Sequence, residues 1–199
     1  MDSELQRIYE EHRDRQDSDI KEYMEMLFEV SKECYHITEM GVREVNTTWA
    51  FMYGLSLSGK EWNRLVSYDL YWHKNIEIAQ RVARENEIDF TFVQGNTAEV
   101  SIEYTNLLFI DTEHTYQHLM KELRLHAGKV SSYIFVHDTS GVYGTREDWP
   151  WDHPRRGSLT KEQYGMWAGC CDFVKENSEW EIVMRYTEGN GMTILGRTK

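Results

Sequence analysis

The sequence predicts an α/β fold with an open, mostly parallel β-sheet that ends in an antiparallel C-terminal hairpin. Three observations lead to this prediction. Short β-capable segments alternate with helix-like segments between residues 35 and 137, which is typical of parallel βαβ units. Residues 107–110 and 133–136 are continuous apolar runs, as expected for strands buried on both faces. Near the C-terminus, the turn-rich segment TEGNG separates two β-capable segments and indicates a hairpin.

The predicted strands are short segments of β-branched, aromatic and other apolar residues. They span residues 35–40, 62–68, 90–94, 107–110, 133–136, 180–185 and 192–197. We predict helices over residues 19–32, 46–53, 75–86 and 118–125. The first has one apolar face at helical spacing and a candidate N-cap at Ser18 or Asp19. Asn46 or Thr47 is the candidate N-cap of the second.

Size and charge limit the class of protein. The 199 residues fit one domain of ordinary size, and a hydrophobic content of 40% is too high for a disordered chain. Because 34 acidic residues face only 22 basic ones, the net charge is −12. Duplex nucleic acids and anionic membranes attract basic surfaces, so this charge argues against both as partners.

The N-terminal segment and the cysteines indicate a compartment. We divide the chain into a charged helix or arm over residues 1–18 and one domain over residues 19–199. The charged start does not resemble a signal peptide. Three cysteines, two of them adjacent and without a C-x-x-C motif, do not form a disulfide framework or a zinc ribbon. We therefore expect a cytoplasmic protein, in which the first 17 residues are either solvated or part of a homo-oligomer contact.

Each of the first five predicted strands ends in, or is directly followed by, polar or glycine residues. They are Glu39 and Gly41, Asp69, Gly95 and Asn96, Asp111, and His137 and Asp138. In an open parallel sheet, ligands bind outside the carboxyl ends of the strands. The sequence therefore predicts one binding site assembled from five segments.

Three of these residues favour a nucleoside-type ligand, although each also has an interpretation as an ordinary turn residue. Gly41 lets the chain turn tightly and lets a ligand approach the backbone, or it belongs to an ordinary turn. Asp69 either accepts ribose hydroxyls or caps a turn. Asn96 either contacts a base or stabilises a turn.

The densest polar cluster joins Asp111, Glu113 and His114 to His137 and Asp138. Carboxylates and imidazoles that converge at adjacent strand ends hold Mg²⁺, Mn²⁺ or a softer divalent ion. Alternatively, a carboxylate or a histidine acts as a general base. The plainer interpretation is that these residues cap local turns and helices.

The segment 143–157 contains both prolines and three aromatic side chains. Loops of this length often cover a binding site. We expect Trp149, Trp151 and His153 to cover a substrate, and Arg155 with Arg156 to bind a carboxylate or phosphate. The alternative is an ordinary surface loop. The adjacent Cys170 and Cys171 fit core packing better than reactivity.

Several motifs together resemble class I S-adenosylmethionine-dependent methyltransferases. They are HITEMGVREVNTTWAF, LLFIDTEHTY, YIFVHDT and the closing GNGMTILGR. The resemblance extends over residues 19–197. It is closest to the small single-domain branch of sugar and macrolide O-methyltransferases and cephalosporin-hydroxylase-like proteins. Val45 and His137 stand where that branch has a glycine and an acidic residue.

This resemblance implies a Rossmann-like doubly wound sheet of seven strands with S-adenosyl-L-methionine as the cofactor. The cofactor's methionine part would lie near Glu39 and Gly41, its ribose at Asp69 and its adenine near Asn96. Asp111 belongs to the same site. In metal-dependent members, the equivalents of Asp111, His137 and Asp138 hold Mg²⁺, so Mg²⁺ or Mn²⁺ is a candidate ion here.

We therefore expect O-methylation of a sugar or another small hydroxylated metabolite. Asp111 or His137 would take the acceptor's proton, and His114 would share that work. Two alternatives stay open. One is a metal-dependent hydrolase that uses the same acidic and histidine residues, and the other is a non-catalytic ligand-binding protein with the same fold.

Overall fold

A computed structural model describes residues 3–145 and 163–198. Within these residues, one sheet has the strand order β3-β2-β1-β4-β5-β7-β6. The strands are β1 (His36–Met40), β2 (Arg64–Asp69), β3 (Asp89–Gln94), β4 (Thr105–Ile110), β5 (Val130–His137), β6 (Trp180–Tyr186) and β7 (Met192–Arg197). Strands β1 to β5 are mutually parallel, and β7 lies antiparallel between β5 and β6. The predicted fold class and the C-terminal hairpin are confirmed.

Helices cover both faces of the sheet. They are α1 (Glu4–Arg13), α2 (Met24–Ser31), α3 (Asn46–Ser56), α4 (Asn75–Glu85), α5 (Tyr116–His126), α6 (Gly141–Thr145) and α7 (Gly165–Glu176). Successive residues of a strand point to opposite faces. Phe109 accordingly packs in an apolar layer that contains residues of α1 to α4. Its neighbours Leu108 and Ile110 pack in a second layer with α5 and α7. None of the described helices is long and apolar enough to cross a membrane.

Helix α1 corrects the expectation that the N-terminal segment is an exposed helix or arm. Ser3 caps it by accepting a hydrogen bond from the Gln6 amide. Leu5 and Tyr9 are buried in the core layer of α2 and α3. The Tyr9 ring lies 5.1 Å from that of Phe28. One face of this charged helix is thus part of the core, because its few apolar residues are spaced by four.

Two predicted N-caps are wrong. The segment from residue 19 first forms a 3₁₀ turn at Lys21–Tyr23, and α2 begins at Met24 without a side-chain cap. Ser18 Oγ is buried and has no hydrogen-bond partner among the described residues. Helix α3 does begin at Asn46, but its N-cap position is Val45 in a left-handed conformation, with no side-chain cap. At α3, the side chains of Asn46 and Thr47 are engaged in tertiary contacts instead, which cap propensity does not reveal.

Several element boundaries also differ by a few residues. Trp62 is 80% exposed and lies outside the sheet, so β2 begins at Arg64. Helix α5 begins two residues earlier than predicted, because Thr115 caps it by accepting a hydrogen bond from the His118 amide. Cys170 is buried on α7, which confirms its predicted place in the core.

Candidate functional site

A cavity of about 550 Å³ opens at the carboxyl ends of β1 to β5. Six of the predicted site residues line it: Gly41, Asp69, Asn96, Asp111, His114 and Asp138. Glu39 and His137 are buried, at 0% and 1% exposure, and neither is among the residues that line this cavity. The polar strand ends therefore converge as the parallel topology requires, but two of the predicted residues lie behind the wall of the cavity.

Gly41 is required by a close approach of two backbones. Its φ is +88°, and a Cβ atom there would lie 1.8 Å from the carbonyl oxygen of Asp111. The Asp111 amide also donates to the Met40 carbonyl. The chain leaving β1 thus crosses directly over the end of β4, and only glycine fits at this crossing.

Asp69 holds the loop that follows β1. Its Oδ2 atom accepts hydrogen bonds from the amides of Val42 (2.8 Å) and Arg43 (2.9 Å). Its Oδ1 atom accepts one from the Tyr71 amide at 3.0 Å. The alternative in which Asp69 stabilises a turn is therefore realised. The residue still lines the cavity, so the same carboxylate can meet a ligand.

Glu39 forms a buried centre of hydrogen bonds beneath this loop. Its carboxylate accepts from the hydroxyls of Thr47 (2.5 Å), Thr48 (2.8 Å) and Ser67 (2.5 Å). Burial raises the pKa of Glu39 to about 7, although the three hydroxyls oppose this shift. Glu39 thereby ties β1 to β2 and to the first turn of α3. It also explains why Thr47 does not cap that helix.

Replacing Glu39 by glutamine removes this titration. A raised folded-state pKa stabilises the folded protein fully below the unfolded value of 4.5, and this contribution is lost as the pH rises through about 7. Between pH 6 and pH 8, the wild-type protein should lose about 1 kcal/mol of unfolding free energy relative to Glu39→Gln. Urea unfolding at both pH values measures this difference. The exposed Glu181→Gln is the control, and the same pH dependence in both variants would contradict the assignment.

Asn96 forms the turn after β3. Its Oδ1 atom accepts from the Ala98 amide at 3.1 Å, and its Nδ2 atom donates to Glu99 at 2.9 Å. These contacts match the plainer interpretation of Asn96 as a turn residue. Asn96 also lines the cavity, at the side formed by the end of β3.

Asp111, His114 and Asp138 form an acid–imidazole cluster on the opposite side of the cavity. His114 Nε2 lies 2.7 Å from Asp138 Oδ2 and 3.3 Å from Asp111 Oδ1. Asp138 is buried, and its Oδ1 atom has no hydrogen-bond partner among the described residues. Asp111 keeps 28% of its side chain exposed. The Tyr143 ring lies 4.3 Å from that of His114 and closes this side.

The two carboxylates control the charge of His114. Burial alone would lower the pKa of His114, but its contacts with Asp111 and Asp138 raise that pKa to about 9. Burial would raise the pKa of Asp111, yet His114 and His137 hold it well below its usual range. At neutral pH His114 is therefore an imidazolium paired with the carboxylate of Asp111.

His137 lies behind this cluster. Its Nδ1 atom is 3.4 Å from Asp111 Oδ1 and 3.6 Å from Asp138 Oδ2. Neither ring nitrogen makes a geometrically acceptable hydrogen bond within the described part of the chain. The ring packs edge-on against Tyr23 at 5.8 Å. The ligand atoms that come together for an ion belong to Asp111, His114 and Asp138, all within 4.8 Å of one another. The geometry therefore favours His114 over His137 as the imidazole of a metal site, and the role of either histidine stays a prediction.

A second buried carboxylate network was not assigned from the sequence. Glu122 is fully buried on α5 and accepts hydrogen bonds from Thr97, Thr112 and His118 Nε2, the last at 3.1 Å. Burial would lower the pKa of His118, but Glu122 raises it. The three hydrogen-bond partners of Glu122 line the cavity. The four-residue spacing of His118 and Glu122 on a predicted helix was the available signal.

The predicted covering loop falls largely outside the described residues. Only its first three residues, 143–145, are described, and Tyr143 lines the cavity. Trp149, Trp151, His153, Arg155 and Arg156 lie outside the described ranges, so their predicted roles stay predictions.

Comparisons with known proteins identify the fold. No family model and no curated protein matches the sequence. Cofactor-bound Rv0187 from MTB matches with a TM-score of 0.63 and 13% identity over 98% of this chain and 90% of that chain. A putative caffeoyl-CoA O-methyltransferase from Staphylococcus aureus matches with a TM-score of 0.62 and 11% identity over 99% of this chain and 93% of that chain. The methyltransferase PaMTH1 from Podospora anserina, solved with SAH, matches with a TM-score of 0.60 and 14% identity over 100% of this chain and 89% of that chain.

Proposed function

We propose that this chain, which has the fold of class I S-adenosylmethionine-dependent methyltransferases, methylates an oxygen atom of a small hydroxylated acceptor. The observation that carries the proposal is the convergence of five strand ends on one cavity of about 550 Å³. That volume is typical of small-molecule sites. The SAH-bound Podospora anserina methyltransferase of the same fold supports the choice of cofactor.

The cofactor would lie along the edge formed by β1, β2 and β3. We assign its methionine part to the loop beginning at Gly41, its ribose to Asp69 and its adenine to the turn at Asn96. Glu39 acts from behind this wall by holding Thr47, Thr48 and Ser67 in place. S-Adenosylmethionine supplies a methyl group on a positively charged sulfur, so the protein mainly has to align the acceptor and remove its proton.

The acid–imidazole cluster would serve the acceptor. Asp111 is partly exposed to the cavity, so its carboxylate can accept a hydrogen bond from the acceptor hydroxyl and take its proton. The imidazolium of His114 offsets negative charge that develops on the acceptor oxygen. His137 is too deeply buried to touch an acceptor. We assign it to orienting Asp111 instead.

The same cluster fits a divalent ion. Asp138 Oδ1 is buried without a partner among the described residues, and two carboxylates with one imidazole suit Mn²⁺ better than Mg²⁺. Asp111, His114 and Asp138 would hold such an ion, which would lower the pKa of the acceptor hydroxyl. Because His114 Nε2 would have to lose its proton first, ion binding and protonation of this histidine would compete.

Calorimetric titration with S-adenosylhomocysteine at pH 7.5 tests the proposal. We expect binding in the micromolar range, and Mn²⁺ should change the affinity or the enthalpy if the cluster holds an ion beside the cofactor. Asp69→Asn should weaken binding at least tenfold, whereas Asp89→Asn, at the opposite end of the strands, should not. Absence of binding to the wild-type protein would reject the methyltransferase proposal. Hydrolytic activity with Mn²⁺ would then favour the metal-dependent hydrolase.

A further inference from the structure

The loop between β1 and α3 is held in an unfavourable conformation. Arg43 has φ of +49° and Val45 has φ of +66°, in the left-handed region that favours glycine. Val45 is β-branched, which makes this conformation still less favourable. Left to itself, the loop would prefer another arrangement. Contacts from elsewhere in the protein must therefore stabilise the one observed.

Asp69 stabilises the loop from the sheet, and a second set of contacts comes from the N-terminal segment. His12 Nδ1 lies 2.7 Å from Asn46 Oδ1, and Arg15 Nη1 donates to the same oxygen at 3.2 Å. Arg15 also lies 3.7 Å from the Glu44 carboxylate. Two donors thus meet one amide oxygen at the start of α3. This fixes both the position of the loop and the orientation of the Asn46 side chain.

We propose that His12 and Arg15 are positioning residues for the cofactor site, acting through Asn46 and the preceding loop of residues 43–45. Asn46 lines the cavity, and its Oδ1 atom is occupied by the two donors. Its Nδ2 group is then the part of the side chain that can donate to an acidic oxygen of the bound molecule, such as a carboxylate. This inference rests on the proposed function, because it assigns the cavity to a cofactor.

The N-terminal segment is suited to this role because it is anchored at its other end. Leu5 and Tyr9 are buried in the core, so the end of α1 that carries His12 has a fixed position. The His12 ring lies 6.0 Å from that of Trp49 on α3. Burial lowers the pKa of His12. A neutral imidazole still donates from Nδ1 to an amide oxygen, so the contact does not require charge.

Single substitutions test the inference through the affinity for S-adenosylhomocysteine. We expect His12→Ala and Arg15→Ala each to weaken binding about tenfold, and His12→Asn, which keeps a donor, to restore most of the loss. Arg13→Ala is the matched control, since Arg13 pairs with Asp14 and not with the loop. It should leave the affinity within twofold. Amide exchange at residues 42–46 should become faster in Arg15→Ala and not in Arg13→Ala.

A double variant tests whether Arg15 acts by positioning the loop or by supporting the structure in general. Arg43→Gly relieves the left-handed conformation at an exposed residue, so Arg15→Ala should weaken binding less in that background, by threefold or less. Equal losses in both backgrounds, or equal losses from Arg13→Ala and Arg15→Ala, would overturn the inference. If the wild-type protein binds no S-adenosylhomocysteine, the proposed function fails instead. Wild-type affinity in His12→Ala and Arg15→Ala would overturn the inference alone.

Discussion

Replacing Gly41 by alanine is expected to abolish S-adenosylhomocysteine binding and to lower the free energy of unfolding by about 3 kcal/mol or more. The added Cβ atom would lie 1.8 Å from the Asp111 carbonyl oxygen, and the backbone there cannot give way without moving the end of β4. The positive φ of +88° adds a conformational cost. Urea unfolding and calorimetry measure the two effects.

Gly59→Ala separates these two causes. Gly59 also has a positive φ, +67°, but a Cβ atom there would meet nothing within 4 Å. We expect a loss of about 1–2 kcal/mol and unchanged ligand binding, because only the conformational cost applies. If both alanine variants lost the same stability and both still bound ligand, the close approach of Gly41 to the Asp111 carbonyl would not be the reason for glycine at position 41.

Replacing Asp111 by asparagine is expected to reduce the rate of methyl transfer about 10²- to 10⁴-fold. Asparagine keeps the shape of the side chain but cannot take the acceptor's proton, and it removes one of the two charges that keep His114 protonated. Cofactor affinity should change little, whereas the free energy of unfolding at neutral pH should fall, because a lowered pKa means that the ionised Asp111 stabilises the folded protein. The measurement is the rate of S-adenosylhomocysteine formation with an acceptor found by screening hydroxylated small molecules.

Asp172→Asn is the matched control for this variant. The Asp172 side chain is 27% exposed against 28% for Asp111, and it likewise takes part in a hydrogen bond, from the Tyr116 hydroxyl. It lies on α7, away from the cavity lining. Turnover by Asp111→Asn within threefold of the wild-type rate would remove Asp111 from the chemistry, even if the protein proved to be a methyltransferase.

Periodicity and strand-end chemistry were sufficient to predict the sheet and the location of the cavity. A strand buried on both faces is continuously apolar, and its polar terminus marks the edge of the sheet, so Asp69 and Asp111 could be assigned to one region. What those side chains contact could not be predicted. Besides the nearby Tyr71 amide, Asp69 accepts from backbone amides of a loop that precedes it by 26 and 27 residues, and no local pattern encodes these distant contacts.

The burial of His137 and the access of His114 to the cavity have a similar cause. Both histidines follow predicted strands in the sequence, but His137 is still inside β5 and points into the packed interior, whereas His114 lies four residues beyond the end of β4. If the predicted end of a strand is wrong by one residue, a side chain expected to reach the cavity can instead be buried in the protein interior. The predicted cap at Thr47 is wrong because of a contact distant in the sequence: the Thr47 hydroxyl donates to Glu39 instead of accepting from an amide of its own helix.

The position of β7 in the sheet affects how the chain is synthesised. Strand β7 pairs with β5 on one side and β6 on the other, yet it is the last of the three to leave the ribosome. Until residue 197 is available, β5 has an unpaired edge, and exposed edges of this kind are prone to pairing with other chains. Nascent chains should therefore depend on chaperones up to the final strand. Ribosomes stalled within residues 187–191 would release a product prone to aggregation.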